Sequence, residues 1–422
     1  MPITALASQG GAPVRTTPWP SWPYADERTQ ALVRDALTSE RWAISEMQQD
    51  ADPYERRFAR AYAEFHGVAG CAPTTSGSSA LTIAFESLGL TRGAEVLVPG
   101  LTWVACASAV ANAGLVPVLV DIDQTSLCMS PAAAEAAITA ATEAVLLVHL
   151  SCNIADLDAF TDLCRRHGLA MVEDCAQAHG AQYRDRMVGT FGQIGAFSMQ
   201  ESKVLTAGEG GAAITDDPQL YRLMEQYRAD GRRYAAGHRA PGLPELDEVG
   251  EVQGRNLCLS EVQAAILLGG LERLPSENAR RAKNAQHLDK LVGEIPGLTP
   301  LPPQDGVTRR TYYQYAIRVD RAEFGGVDVE TLRQDLVAEL GVFCAPLHDP
   351  LNASLLYNPL ASPHKYDATV LSRLDPRRFD LPESHRARQE FLTVPHNVLL
   401  GDGGDVEQVA EALEKIHTVR GG

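Results

Sequence analysis

AVLLVHLSCNIADLDAFTDLCRRHGLAMVEDCAQAHGA, residues 144–181, decides the fold. Two short runs in it, AVLLVHL around Leu146 and LAMVED around Met171, are apolar at nearly every position, and a stretch of helical texture separates them. A strand with one wet face alternates apolar and polar residues. A strand apolar throughout is buried on both faces, as in a parallel sheet held between helical layers. The pattern extends outward in both directions: EVLVP near Val96 and VPVLVDI near Val118 precede it, and GAFS near Phe197 and GAAIT near Ala213 follow it. Repetition of this kind signals βαβ units, with ligand positions at the carboxyl ends of the strands.

Outside this block the texture changes. The segment TTPWPSWPYADE is rich in proline and tryptophan and reads as an extended arm, residues 1–25, able to cross onto a partner subunit. Helical periodicity follows near Asp26–Leu37 and Tyr54–Phe65. From about Pro303 come an alternating strand, YYQYAIRV, a helix near Val329–Leu340 and a last helix near Val406–Ile416. A chain of 422 residues exceeds what one hydrophobic core usually serves. The expectation is therefore an α/β protein with a large domain, 26–302, built on a mostly parallel sheet, and a small C-terminal α/β domain, 303–422.

Composition excludes several classes. With 37 basic and 54 acidic residues the net charge is −17, which opposes general attachment to nucleic acid or anionic membrane. The start, MPITALASQGGAPVR, lacks the pattern of a secretory leader and no apolar run reaches bilayer-spanning length, so the expected location is the cytoplasm. The eight cysteines, Cys71, Cys106, Cys128, Cys152, Cys164, Cys175, Cys258 and Cys344, form no CxxC pair and mostly sit in apolar surroundings. Buried free thiols are expected, with no metal site.

Four segments carry chemistry. TTSGSSALTIAFESLG puts Ser76, Gly77, Ser78 and Ser79 at a helix start, where free N–H groups and hydroxyls hold a phosphate dianion. PGLTWVACASAV places Trp103 at a strand-to-helix junction, suited to stacking on a flat ring. MVEDCAQAHGA ends a buried strand in Glu173 and Asp174, and an acid there can keep a pyridine nitrogen protonated. GAFSMQESKVLTAGEGGAAIT brings Ser198 and Lys203 into a loop between strands, where an unprotonated amine condenses with an aldehyde and the hydroxyl reaches a phosphate. Singly, these also read as a helix cap, a core tryptophan, a strand-end acid and a surface lysine. Their order along the chain, each at the boundary of an α/β element, is that of a pyridoxal-phosphate site.

On TSGSSAL, PGLTWVA, VEDCAQAHGA, FSMQESKVLTAGEGG and QGRNLCLSE the chain resembles, over nearly its whole length, the DegT/DnrJ/EryC1 aminotransferases, the sugar and cyclitol branch of fold-type-I pyridoxal-phosphate enzymes. The resemblance implies that Lys203 joins the cofactor aldehyde, Asp174 partners the pyridine nitrogen, Gln177 neighbours the ring hydroxyl, Trp103 stacks, and Gly77, Ser78 and Ser198 hold the phosphate. It implies a homodimer in which Asn256 reaches the neighbouring subunit's cofactor. GLTWVA, RADGRRY, QGRNLCLSEVQAAILL and TYYQYAIRVDRAEFGG are similar to the glutamine-dependent cyclitol members. That similarity implies L-glutamine or glutamate as donor and a keto-cyclitol such as 2-deoxy-scyllo-inosose or scyllo-inosose as acceptor, in aminoglycoside-type antibiotic biosynthesis. His348 in APLHDP is implied to face the substrate. After His149 and Leu150 the chain reads Ser151 and Cys152 where such enzymes often carry an aromatic and a glycine, so Ser151 marks a wall of the substrate pocket that differs. A nucleotide-linked keto-sugar aminotransferase, an aromatising dehydratase of the 3-amino-5-hydroxybenzoate synthase type, and a catalytically inactive cofactor-binding regulator are the other readings.

Overall fold

The computed structural model describes residues 5–47, 52–235, 237, 240 and 242–421; residues 1–4 of the expected arm lie outside it. Its centre is a sheet of seven strands: β1 (Gly70–Thr74), β2 (Glu95–Pro99), β3 (Val116–Val120), β4 (Thr142–Val148), β5 (Ala170–Asp174), β6 (Ile194–Ser198) and β7 (Gly211–Thr215). The order across the sheet is β1-β7-β6-β5-β4-β2-β3. All pairs among β2 to β6 are parallel, and β7 alone runs against its neighbours β1 and β6.

The continuous apolar runs are explained by burial on both sides. Val96, Val98, Leu146, Val172 and Ile194 point into one core, and Leu97, Val145, Leu147, Met171 and Phe197 into the other. Each such side chain contributes roughly 1.5–3 kcal/mol by leaving water. All six strands expected from the apolar runs are present. The seventh, β1, has the sequence Gly-Cys-Ala-Pro-Thr and no strand-like signal; Pro73 is tolerated because β1 lies at the sheet edge. The reversal at β7 follows from its connection. A parallel return needs a crossover, usually helical, whereas residues 199–210 form none, so the chain turns back alongside β6.

Helices α1 (Glu27–Thr38), α2 (Tyr54–His66), α3 (Gly77–Ser87) and α4 (Ala105–Asn112) precede the long α5 (Glu261–Gly293), followed by α6 (Val329–Leu340) and α7 (Gly403–Gly421). Helix α5 begins at a capping box, Ser260 with Gln263, and packs on α1, α2 and α7. A second, antiparallel sheet, β8 (Leu298–Pro300), β9 (Gln314–Val319) and β10 (Phe391–Pro395), has β9 in its middle. The arm runs along α6 and α7 of its own chain. Glu339 accepts hydrogen bonds from the amides of Ala7 and Val14, Arg15 pairs with Asp405, and the Trp19 indole donates to Leu340 O. All eight cysteines are free, seven of them buried and Cys258 partly so.

Candidate active site

The carboxyl ends of the main-sheet strands open onto a cavity of about 460 Å³. Gly77, Ser78, Trp103, Asp174, Gln177, Ser198, Lys203 and His348 all line it, although they come from five separate stretches of chain. One wall is the start of α3. The Ser76 side chain caps that helix by accepting from Ser79 N at 3.1 Å, while the amides of Gly77 and Ser78 donate to nothing among the described residues. The approach is close enough to require glycine: a Cβ on Gly77 would stand 2.6 Å from Ser198 Cβ, and one on Gly211 2.4 Å from the Ser76 carbonyl. Two free amides and the Ser198 hydroxyl thus converge where a helix N-terminus favours an anion.

At the end of β5, the buried Asp174 is fixed from two sides. Its Oδ1 accepts from Ala176 N at 2.9 Å and its Oδ2 from the Cys106 thiol at 3.1 Å. Burial and the adjacent Asp174 charge push that thiol well above its usual range, so it stays protonated and donates. Next to Asp174, Glu173 points the opposite way. It accepts from the amides of Gly189, Phe191 and Gly192 and from His149 Nε2, tying the 187–192 turn to β5. His149, Glu173 and Cys175 lie close enough together for a metal ion, but each oxygen of this carboxylate is already occupied by N–H donors, which makes the cluster a structural clamp.

His179 is another buried support. Tyr62 OH donates to its Nδ1 at 2.9 Å and its Nε2 donates to Ser198 O at 2.8 Å, fixing the backbone of the residue whose hydroxyl faces the cavity; burial drops the imidazole to about 3. Trp103 is half-exposed, its indole open to the cavity and 5.7 Å from the His348 ring. Gln177 Oε1 accepts from Ser151 N at 2.6 Å, which directs its amide toward His348 Nε2 at 3.5 Å. Burial and the charge of Lys203 hold His348 at about 4, neutral and able to accept.

Ser151 is placed away from the cavity, and Asn256, expected at the neighbouring subunit's cofactor, lies outside the cavity of its own chain. Ser151 is buried behind Gln177 and does not line the cavity; its φ of +61° is the left-handed conformation that glycine adopts without strain. Asn256 is exposed, outside its own chain's cavity, bridged to Ala229. Sequence reading missed Tyr313, which enters from just before β9. Lys203 Nζ stands 4.1 Å from the centre of its ring, and the phenol hydrogen-bonds Ser202 Oγ at 3.0 Å. A cation over an aromatic face gains about 0.5–2 kcal/mol. The alternating pattern of YYQYAIRV marked a strand but could not say which end of it meets Lys203.

The arrangement, an amine, an acid, a flat ring and an anion cradle around one cavity, suits a planar, phosphorylated aldehyde. Comparison with known proteins agrees. The model of the DegT/DnrJ/EryC1/StrS aminotransferase family matches residues 23–414. The L-glutamine:2-deoxy-scyllo-inosose aminotransferase of Streptoalloteichus tenebrarius is 48% identical over 418 residues, 99% of this chain and 98% of that relative. The L-glutamine:scyllo-inosose aminotransferase of Streptomyces griseus is 45% identical over 415 residues, 98% and 97% of the two chains. Among solved structures, an aminotransferase from Psychrobacter cryohalolentis superposes with a TM-score of 0.82 at 28% identity, over 96% of this chain and 100% of that one. For 3-amino-5-hydroxybenzoic acid synthase the TM-score is 0.81 at 25% identity, with the same coverage.

Proposed function

The chain belongs to the DegT/DnrJ/EryC1/StrS aminotransferase family, and from that premise we propose that it moves an amino group from L-glutamine to a keto-cyclitol, 2-deoxy-scyllo-inosose or scyllo-inosose, using pyridoxal phosphate. The carrying observation is the 48% identity over 99% of the chain to an enzyme named for that reaction. The 3-amino-5-hydroxybenzoic acid synthase shares the scaffold at 25% identity, a much weaker likeness, and so does not displace this reading.

The residues present fit the cofactor. Gly77 N, Ser78 N and Ser198 Oγ would hold its phosphate in a cradle that a Cβ at position 77 would fill. Asp174, buried and pinned by Cys106 and Ala176, would hold the pyridine nitrogen's proton. Trp103, half-exposed and lining the cavity, would stack, and Gln177 would meet the ring hydroxyl. When bound, pyridoxal phosphate supplies an electron sink for the bond broken at the donor's α-carbon. Lys203 would anchor the group and, as general acid and base, would hold and move the proton at the donor's α-carbon. His348, neutral and beside Trp103, offers a lone pair or a proton to a substrate hydroxyl. The functional unit in this reading is a homodimer, with the exposed Asn256 reaching the partner's cofactor.

The test is spectroscopic. Protein purified with pyridoxal phosphate should lose its visible absorbance when L-glutamine is added, and regain it with a keto-cyclitol but not with nucleotide-linked keto-sugars. Borohydride reduction and peptide mapping should tag Lys203. Lys203→Ala should lower turnover by more than the roughly 10²–10⁴-fold ascribed to a proton-transfer group alone. Substantial activity in that variant would sink the assignment.

A further inference from the structure

Two residues distant from Lys203 in sequence, Trp22 and His396, hold the backbone on which it stands. The amides of Glu201 and Lys203 are used within the 199–210 hairpin: Glu201 N donates to Gly208 O, and Lys203 N to Gln200 O. The carbonyls of Glu201, Ser202 and Lys203 instead take donors from outside it. The Trp22 indole, on the N-terminal arm, donates to both Glu201 O and Lys203 O at 3.2 Å. His396 Nε2, just after β10, donates to Ser202 O at 3.1 Å.

These two donors form one unit. Their rings meet edge to face, 4.7 Å apart with an interplanar angle of 86°, and the Arg281 guanidinium lies 5.2 Å from the Trp22 ring. His396 Nδ1 is buried and unpartnered, which leaves the single imidazole proton on Nε2, where Ser202 O receives it. The small sheet delivers His396 and Tyr313 together. Gln314 pairs with Pro395 across β9 and β10, so the residues just beyond that pair emerge side by side, their rings 6.5 Å apart. Tyr313 then lies under the lysine amine while His396 and Trp22 hold the backbone behind it.

We propose that Trp22 and His396 are positioning residues for Lys203, a clamp supplied by the arm and the small sheet that holds three consecutive carbonyls and so sets where the amine stands in the cavity. The proposal rests on the reading of Lys203 given above. A lysine that leaves the cofactor and returns each cycle has to come back to the same place, and a misplacement of about 1 Å costs on the order of 10²-fold in rate.

The experiment uses the full-length holoenzyme with Trp22→Phe, which keeps the ring and removes the donor, His396→Phe, and His396→Gln, whose amide nitrogen can replace Nε2. Borohydride tagging of the wild type comes first: a tag away from Lys203 overturns the lysine assignment and the clamp with it. With Lys203 tagged, Trp22→Phe and His396→Phe should each shift the pH midpoint of the bound cofactor's visible absorbance by about 0.5–1 unit, the worth of one hydrogen bond. They should lower kcat by on the order of 10–100-fold with KM for L-glutamine nearly unchanged, and His396→Gln should restore most of both. In the cofactor-free protein, amide hydrogen exchange at 201–203 should quicken. An unmoved spectral midpoint and kcat overturn the clamp, as does a loss of thermal stability with no spectral shift. Should His396→Phe fail to fold, Trp22→Phe decides alone.

Discussion

Asp174 shows how a single side chain is prepared by its neighbours. Its two oxygens are held by Ala176 N and the Cys106 thiol, so the carboxylate cannot turn away from the cavity. Asp174→Asn keeps the shape but removes the charge. Loss of a preorganised electrostatic partner typically costs about 10²–10³-fold in kcat; that loss, measured with cofactor still bound, is the expected outcome. The buried histidines make a second prediction. His66, His179 and His348 are held at about 4, 3 and 4 by burial, below their ordinary 6.5. Below pH 6.5 the unfolded chain therefore binds protons that the folded chain refuses, so stability falls with falling pH. Each contributes up to about 1.4 kcal/mol per pH unit until its folded value is reached. Glu261, raised by burial to about 7, has the opposite sign between 4.5 and 7. His396, also lowered by burial, joins the three, while Glu86, Glu225 and Asp289, raised by burial, join Glu261; between pH 7 and 5 the four histidines outweigh these carboxyls and leave a net loss on acidification. Urea unfolding at pH 7, 6 and 5 should show declining stability; a flat or rising trend contradicts it.

At the scale of elements, the contact between α1 and α5 turns on one glycine. A Cβ on Gly269 would lie 2.2 Å from Thr29 Oγ1 and 2.9 Å from its Cβ. Thr29 cannot yield, because its hydroxyl donates to Asp26 and accepts from Arg273 Nη1 at 2.7 Å. Gly269→Ala gains about 1 kcal/mol of helix propensity and loses roughly 1–3 kcal/mol to overpacking, so the variant should be less stable. Gly293→Ala, where nothing lies within 4 Å, is the control and should not lose stability. Chemical denaturation of the pair separates the two effects. The same element scale explains what the sequence hid. Strand β1 is short, carries a proline and lies at an edge, so no periodicity announced it, yet it places the start of α3 against Ser198.

For the whole molecule, the proposed dimer makes a prediction that no monomer can satisfy. Lys203→Ala and Asn256→Ala homodimers should each be impaired. Refolded together, they should form hybrids in which one site has an intact lysine and receives an intact asparagine from its neighbour, restoring roughly a quarter of the sites under two-fold symmetry. No recovery, or light scattering that shows only monomers, would refute the shared site. Two features already lie at the surface for such an assembly: Asn256, and a cleft of about 680 Å³ between residues 22–25, α1, the 204–208 stretch and α5.

The sequence by itself determined the layer architecture and the chemistry. Unbroken apolar runs can be buried only between two helical layers, and Gly77, Asp174 and Lys203 stand at element boundaries that local pattern exposes. It did not determine what stands behind those residues. Trp22, Tyr313 and His396 reach the Lys203 turn from places roughly a hundred or more residues away along the chain, and Ser151 is withdrawn behind Gln177. Such contacts are set by how the arm, the small sheet and the main sheet dock, a long-range packing outcome to which hydrophobic periodicity, being local, is blind.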